Sequence, residues 1–151
     1  MTNIEVMFDL RHPNAKMPVR GTPHSFGLDL YAADIEWLDD RTVKYDTGLR
    51  LLQDLNGEVG MPICAPRSSI RKHRIVLLNS IGVIDGDYMD TIQATFMGFP
   101  QISTFYKPGD RILQLLFVPQ CQLWPINASK ERINFQVLQK QRTGGHGSTG
   151  S

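Results

Sequence analysis

The sequence predicts an all-β fold, a barrel or jelly-roll sandwich with little helix. Three observations carry that expectation. The apolar runs are mostly strand-length, several are rich in Val, Ile, Leu, Phe and Tyr, and Gly, Pro, Asn and Asp break them at close intervals. Many short strands with regular turns between them are the pattern of sandwiches and barrels.

Taken in order, "IEVMFDL" is the first strand-length run and "LDLYAAD" the second. "RTVKYDTGLRLL" leads into "DLNGEVG", where Asn56-Gly57 suits the type I′ turn of a hairpin. "EVGMPICAP" is a strand stopped by Pro66. "IVLLN" follows, then the short "GVI", which ends at Asp85 with Gly86, Asp87 and Tyr88 in a tight turn. "TIQATFMGF" is a further strand, "KPGD" a turn, and "RILQLLFVP" a buried strand that Pro119 ends. Only "LLNS" and the "ASKERI" region have helical appeal, and neither is long enough to build an α layer.

At 151 residues, one domain with a proper core is expected. Hydrophobic residues at 41% and charged residues at 21% are ordinary for a globular protein, which favours a packed chain over a disordered one. A formal net charge of +1 gives no broad electrostatic case for nucleic acid or an anionic membrane as partner. No apolar run approaches the ~20 residues of a spanning helix, and "MTNIEVMFDLRH" lacks a signal-peptide stretch. Cys64 and Cys121 sit in apolar surroundings and read as reduced thiols at or near the core. A soluble, cytoplasmic or otherwise intracellular protein is the expectation.

Four interior segments are more polar than their flanks. In "FGLDLYAAD", Asp29 lies between Leu28 and Leu30, either as an exposed strand carboxylate, as an acceptor for turn N–H groups, or as an outer-shell carboxylate for a metal ion. In "APRSSIRKH", Arg67, Ser68 and Ser69 bring a guanidinium and two hydroxyls together, which suits phosphate oxygens and equally a solvated polar turn. The "GVIDGDY" reversal would expose backbone groups along a rim able to hydrogen-bond a pyrimidine edge. Tyr88 can pack on a sugar there, and Asp85 can orient and deprotonate a water. Gln114 interrupts an apolar strand, where an amide must find partners, in backbone or in a ligand, or cost about 1–3 kcal/mol.

In order and content, "FGLDLYAA", "PRSS", "GVIDGDY", "GDRILQLL" and "RTGGHGSTG" resemble the five motifs of the trimeric dUTPase family, from Gly27 to Gly150. The resemblance implies a jelly-roll or β-clip-like barrel forming homotrimers with shared active sites, and Mg²⁺-dependent hydrolysis of dUTP to dUMP and pyrophosphate. It implies Asp85 as the carboxylate that activates water, and Tyr88 as the ring on deoxyribose. It implies Asn79 with the backbone of Gly82, Val83 and Ile84 as the uracil reader. Arg67, Ser68 and Ser69 fall on the phosphate motif, Gln114 on the motif-four amide, Asp29 on a carboxylate holding metal-bound water, and Gln93 on a strand position near substrate. Mg²⁺ is expected to arrive on the nucleotide phosphates.

The resemblance also divides the chain into a β domain over 1–139 and a mobile arm over 140–151 that closes over a site. A glycine-rich arm can wrap a polyanion with backbone N–H groups. There Arg142 can pair with the γ-phosphate, and Gly147, Ser148 and Thr149 belong to the closing segment. His146 stands where the family usually presents a stacking phenylalanine, and an imidazole titrating at about pH 6.5 makes that lid pH-sensitive. Arg142 is one residue nearer the paired glycines than usual, Asp90 replaces a usual glycine, and Phe26 a usual small residue. Two other readings share the fold: a nucleotide-binding regulatory relative, and a dCTP deaminase, which needs a glutamate that "TIQATFMGFP" lacks.

Overall fold

The computed structural model describes residues 5–52 and 60–118. The expected turn at Asn56-Gly57, the "ASKERI" region, Pro119, Cys121 and the arm over 140–151 lie outside them, as does the boundary at 139. The strands in chain order are β1 (Met7–Leu10), β2 (Val19–Arg20), β3 (Leu28–Tyr31), β4 (Asp34–Trp37), β5 (Thr42–Asp46) and β6 (Leu49–Leu52). After them come β7 (Met61–Pro66), the one-turn helix α1 (Ile70–His73), β8 (Ile75–Leu77), β9 (Gly82–Val83), β10 (Gln93–Gly98) and β11 (Arg111–Val118). The described pairings are antiparallel, in sheets ordered β1-β6, β4-β5-β10-β8 and β2-β3-β11-β7-β9. This is the jelly-roll type of all-β architecture that the turn-punctuated sequence leads one to expect.

Alternation explains why these segments are strands. Along β5 and β10 every second residue is buried, with Val43 and Tyr45 facing Ala94 and Phe96 in the core. Tyr45, Phe96 and Tyr106 pack edge to face with centroids 5.7–6.1 Å apart, and the Tyr45 hydroxyl donates to the Tyr106 carbonyl at 3.0 Å. Edge-to-face packing of this kind adds roughly 0.5–1.5 kcal/mol per pair beyond burial.

The run "RTVKYDTGLRLL" holds two strands, β5 and β6. The chain leaves the four-stranded sheet at Asp46 and joins the two-stranded sheet at Leu49. Gly48 makes that corner with φ of 65°, and a Cβ there would stand 2.5 Å from the Cβ of His12. Only glycine fits both the backbone and the space. The helical turn also falls elsewhere than expected. "LLNS" closes a turn, Ser80 N–H to Leu77 carbonyl at 3.0 Å, while α1 occupies the basic stretch after "PRSS". Arg71 and Lys72 bring positive charge toward its C-terminal end, where it suits the helix dipole.

Candidate active site

Three neighbouring strands of the five-stranded sheet set up the first half of the site. Asp29 on β3, Gln114 on β11 and Ala65 on β7 stand in register across the sheet, so the carboxylate and the amide are neighbours on one face. A register shift between Arg111 and Leu113 lets both Ile112 and Leu113 be buried, while Arg111 reaches Asp29. Bulges commonly re-aim a side chain in this way.

Asp29 is only 8% exposed, so it is not an exposed strand carboxylate. Its Oδ1 accepts from Arg67 Nε at 2.9 Å and its Oδ2 from Arg111 Nη1 at 3.0 Å. Arg67 Nη1 also donates to the Ser69 hydroxyl at 3.5 Å and the Arg111 carbonyl at 3.4 Å. Two guanidiniums against one carboxylate leave the cluster net positive, an environment for an anion. Gln114 Nε2 donates to the Pro66 carbonyl at 3.1 Å, which ties down the strand end from which Arg67 projects. Gly27 lets these strands close up, since a Cβ there would lie 3.2 Å from Gln114 Oε1. Ser68 is exposed and Ser69 half-buried beside them.

The second half lies on the other side of β7. Gly82 and Val83 pair with Cys64 and Ile63, and the Ile84 N–H donates to the Pro62 carbonyl at 3.0 Å. That N–H is therefore committed within the protein. Asn79 places its amide over Gly82, 3.7 Å from where a Cβ would be. The Tyr88 N–H donates to the Asp85 carbonyl at 3.1 Å, closing the expected tight turn with Asp85 exposed at its rim. The Tyr88 hydroxyl donates to the Thr91 carbonyl at 2.9 Å. Burial, with Asp90 and Asp46 near, raises its pKa. Gln93 turns its amide to Asp46 Oδ2 at 3.0 Å.

The chain does not bring the two halves together. Because β9 runs antiparallel to β7, Asp85 leaves the sheet near the Met61 end, whereas Arg67 leaves at the Pro66 end. Strand rise over that stretch puts them roughly 15–20 Å apart, far more than a triphosphate spans. Arg111 and Tyr106 also stand at the Arg67 half-site without a signal in the sequence, since an arginine opening a strand and a tyrosine before a turn are unremarkable. The Tyr106 hydroxyl is buried without a hydrogen bond of good geometry, and burial raises its pKa, moderated by Ser69 and Arg67. Arg142, His146, Gly147, Ser148 and Thr149 lie outside the described residues.

The dUTPase family model matches residues 13–150. The deoxyuridine 5'-triphosphate nucleotidohydrolase of Aeromonas salmonicida is 34% identical over 142 residues, covering 89% of this chain and 86% of that protein. A Staphylococcus bacteriophage 80alpha dUTPase mutant with dUpNHpp is similar in structure, with a TM-score of 0.71 at 19% identity, covering 99% of this chain and all of that one. A mutant dUTPase from phage phi11 of S. aureus that coordinates a structural Mg(II) ion gives 0.66 at 18% identity, over 82% and 96%. At such identities these two structures speak for the fold. With the motifs, the half-sites and the family match over nearly its whole length, the chain belongs to the dUTPase family, the hydrolases of deoxyuridine triphosphate.

Proposed function

We propose that the chain hydrolyses dUTP to dUMP and pyrophosphate by attack of water on the α-phosphorus, at sites shared between copies of a homotrimer. The observation that carries this reading is the separation of the half-sites: a positive cluster around Arg67 at one end of β7, and the Asp85 turn at the other. One copy's cluster completes another copy's hairpin, as a heterologous interface closed into a three-fold ring allows.

Asn79 and the backbone of Gly82 and Val83, with the carbonyl rather than the committed N–H of Ile84, read the uracil edge, and Tyr88 packs on the deoxyribose. Arg67, Ser68 and Ser69 hold phosphate oxygens, with Asp29 fixing the aim of Arg67 and Gln114 fixing the loop. Asp85 takes a proton from water as its oxygen bonds to the α-phosphorus; the bond from that phosphorus to the bridging oxygen breaks, and pyrophosphate leaves. From the arm, Arg142 pairs with the γ-phosphate, His146 stacks on the base, and Gly147, Ser148 and Thr149 close over the chain of phosphates.

Among the described residues no three His, Cys, Asp or Glu side chains converge on a cation. Mg²⁺ would enter on the phosphates; Asp29, the carboxylate matched to one of its waters, already has both oxygens bonded to Arg67 and Arg111, in a cluster that suits phosphate better than a cation. Bound to the phosphates, Mg²⁺ supplies charge neutralisation along the triphosphate. Among the described residues no helix is long and apolar enough to cross a membrane.

Product analysis with dUTP, dCTP and dTTP in Mg²⁺ tests the reaction. dUMP and pyrophosphate from dUTP alone support it, whereas deaminated product from dCTP, or no turnover, contradicts it. The strand β10 that follows the hairpin, "QATFMG", carries no carboxylate for deamination.

A further inference from the structure

Asp46 ends β5 beside the exit of the Tyr88 hairpin, and its carboxylate is fully engaged there. Oδ1 accepts from the Gly48 N–H at 2.7 Å, and Oδ2 accepts from the Thr91 hydroxyl at 2.7 Å and from Gln93 Nε2 at 3.0 Å. Thr91 is buried, and its other polar groups are tied as well: its N–H donates to Asp90 Oδ1 at 2.7 Å and its carbonyl takes the Tyr88 hydroxyl. The next residue is stitched to the same corner. Thr47 donates to the Ile92 carbonyl through its N–H at 3.0 Å and its hydroxyl at 2.8 Å, and the Ile92 N–H donates to the Leu49 carbonyl at 2.8 Å.

Tyr88 is 40% exposed as a residue, so packing alone does not hold its ring in place. Its hydroxyl is anchored to a residue that a charged, hydrogen-bonded corner holds still. A ring can exclude a ribose 2′-hydroxyl only if it cannot back away by a few tenths of an ångström, because dispersion and clash both change steeply over that distance.

We propose that Asp46 and Thr91 are positioning residues for sugar discrimination: together they fix the height of Tyr88 over the sugar, and so set the preference for deoxyribonucleotide over ribonucleotide. This rests on the reading in which Tyr88 packs on the deoxyribose. Hydrogen bonds to a charged partner are the strong class, so removing one from this corner has a readable effect.

The test compares binding of the α,β-imido analogues of dUTP and UTP, with Mg²⁺, by calorimetry, beside kcat and KM for both nucleotides. Thr91→Val removes the bond to Asp46 and keeps the size of the side chain. It is expected to lower the deoxy-to-ribo affinity ratio about tenfold, mainly through tighter UTP binding, and Thr91→Ser restores the ratio. Asp46→Asn, which keeps an acceptor for Gly48, lowers the ratio by a smaller factor and serves if Thr91→Val does not fold. The core variant Val43→Ala, destabilised without touching the corner, keeps the parent ratio. An unchanged ratio in Thr91→Val or in folded Asp46→Asn overturns the proposal, and so does a ratio that falls equally in Val43→Ala. Absence of dUTP turnover in the parent would overturn the proposed reaction, while the binding ratio still decides this inference.

Discussion

Replacing Asp29 by asparagine keeps the shape of the side chain and removes the charge that two arginines share. The carboxylate accepts at 2.9 Å from Arg67 and at 3.0 Å from Arg111, with its own side chain 11% exposed. An asparagine offers its oxygen to one guanidinium and turns its NH2 on the other, donor against donor. Breaking a buried ion pair costs roughly 3–5 kcal/mol. Here the arginine side chains are 24% and 42% exposed, so solvent screening lowers the expected loss to about 2 kcal/mol. At ~2–4 °C per kcal/mol for a domain of this size, Tm falls by about 4–8 °C. Arg67 also loses the bond that aims it, and kcat/KM for dUTP falls about a hundredfold, as for loss of one directed donor. Thermal unfolding by circular dichroism and steady-state pyrophosphate release measure the two effects. Unchanged Tm together with unchanged kcat/KM refutes the reasoning; a lower Tm with unchanged kcat/KM makes the cluster a sheet fastener and not a phosphate holder.

Tyr106→Phe removes a buried hydroxyl that lacks a well-formed hydrogen bond, and is expected to raise stability by about 1 kcal/mol in urea unfolding; a loss of that size would show that the hydroxyl is bonded. Burial pushes the Cys64 thiol up to about 12. The folded state therefore holds that proton when the unfolded state, at a thiol pKa of ~8.5, has released it. Stability is unaffected by this group below about pH 8.5 and falls as pH rises toward 12, with a slope approaching ~1.4 kcal/mol per pH unit that Cys64→Ala abolishes. Urea midpoints at pH 8, 9 and 10 would check this. His146→Phe, restoring the stacking ring usual in the family, lowers KM for dUTP several-fold; no change or a rise contradicts a stacking role for that position.

Much of the fold was legible because half-buried antiparallel strands alternate in sequence as they do in space. "TIQATFMGF" and "RILQLLFVP" became β10 and β11, and Pro66 does end β7. The break inside "RTVKYDTGLRLL" was not legible, since nothing local says that Thr47 and Gly48 turn toward another sheet; the contact of Gly48 with His12 is set by tertiary packing. In the site, Asp29 stood out because a carboxylate between leucines must find partners. Which partners it finds, Arg67 and Arg111, depends on a strand register that brings together residues 38 and 82 positions away. Asp46 and Thr91 gave no signal, as each is an ordinary polar residue at the margin of an apolar run. Their convergence exists only once β5 and β10 are paired.

Subunit mixing tests the central claim most directly, that Asp85 of one copy acts on phosphates held by Arg67 of another. Asp85→Asn and Arg67→Ala chains, each nearly inactive alone, are unfolded together in equal amounts, refolded and assayed for pyrophosphate release from dUTP with Mg²⁺. Random assembly gives both intact groups to about a quarter of shared sites, so activity is expected to recover to about a quarter of the parent value. A mixture as inactive as its components, or an Asp85→Asn protein that turns over dUTP at the parent rate, would contradict the account.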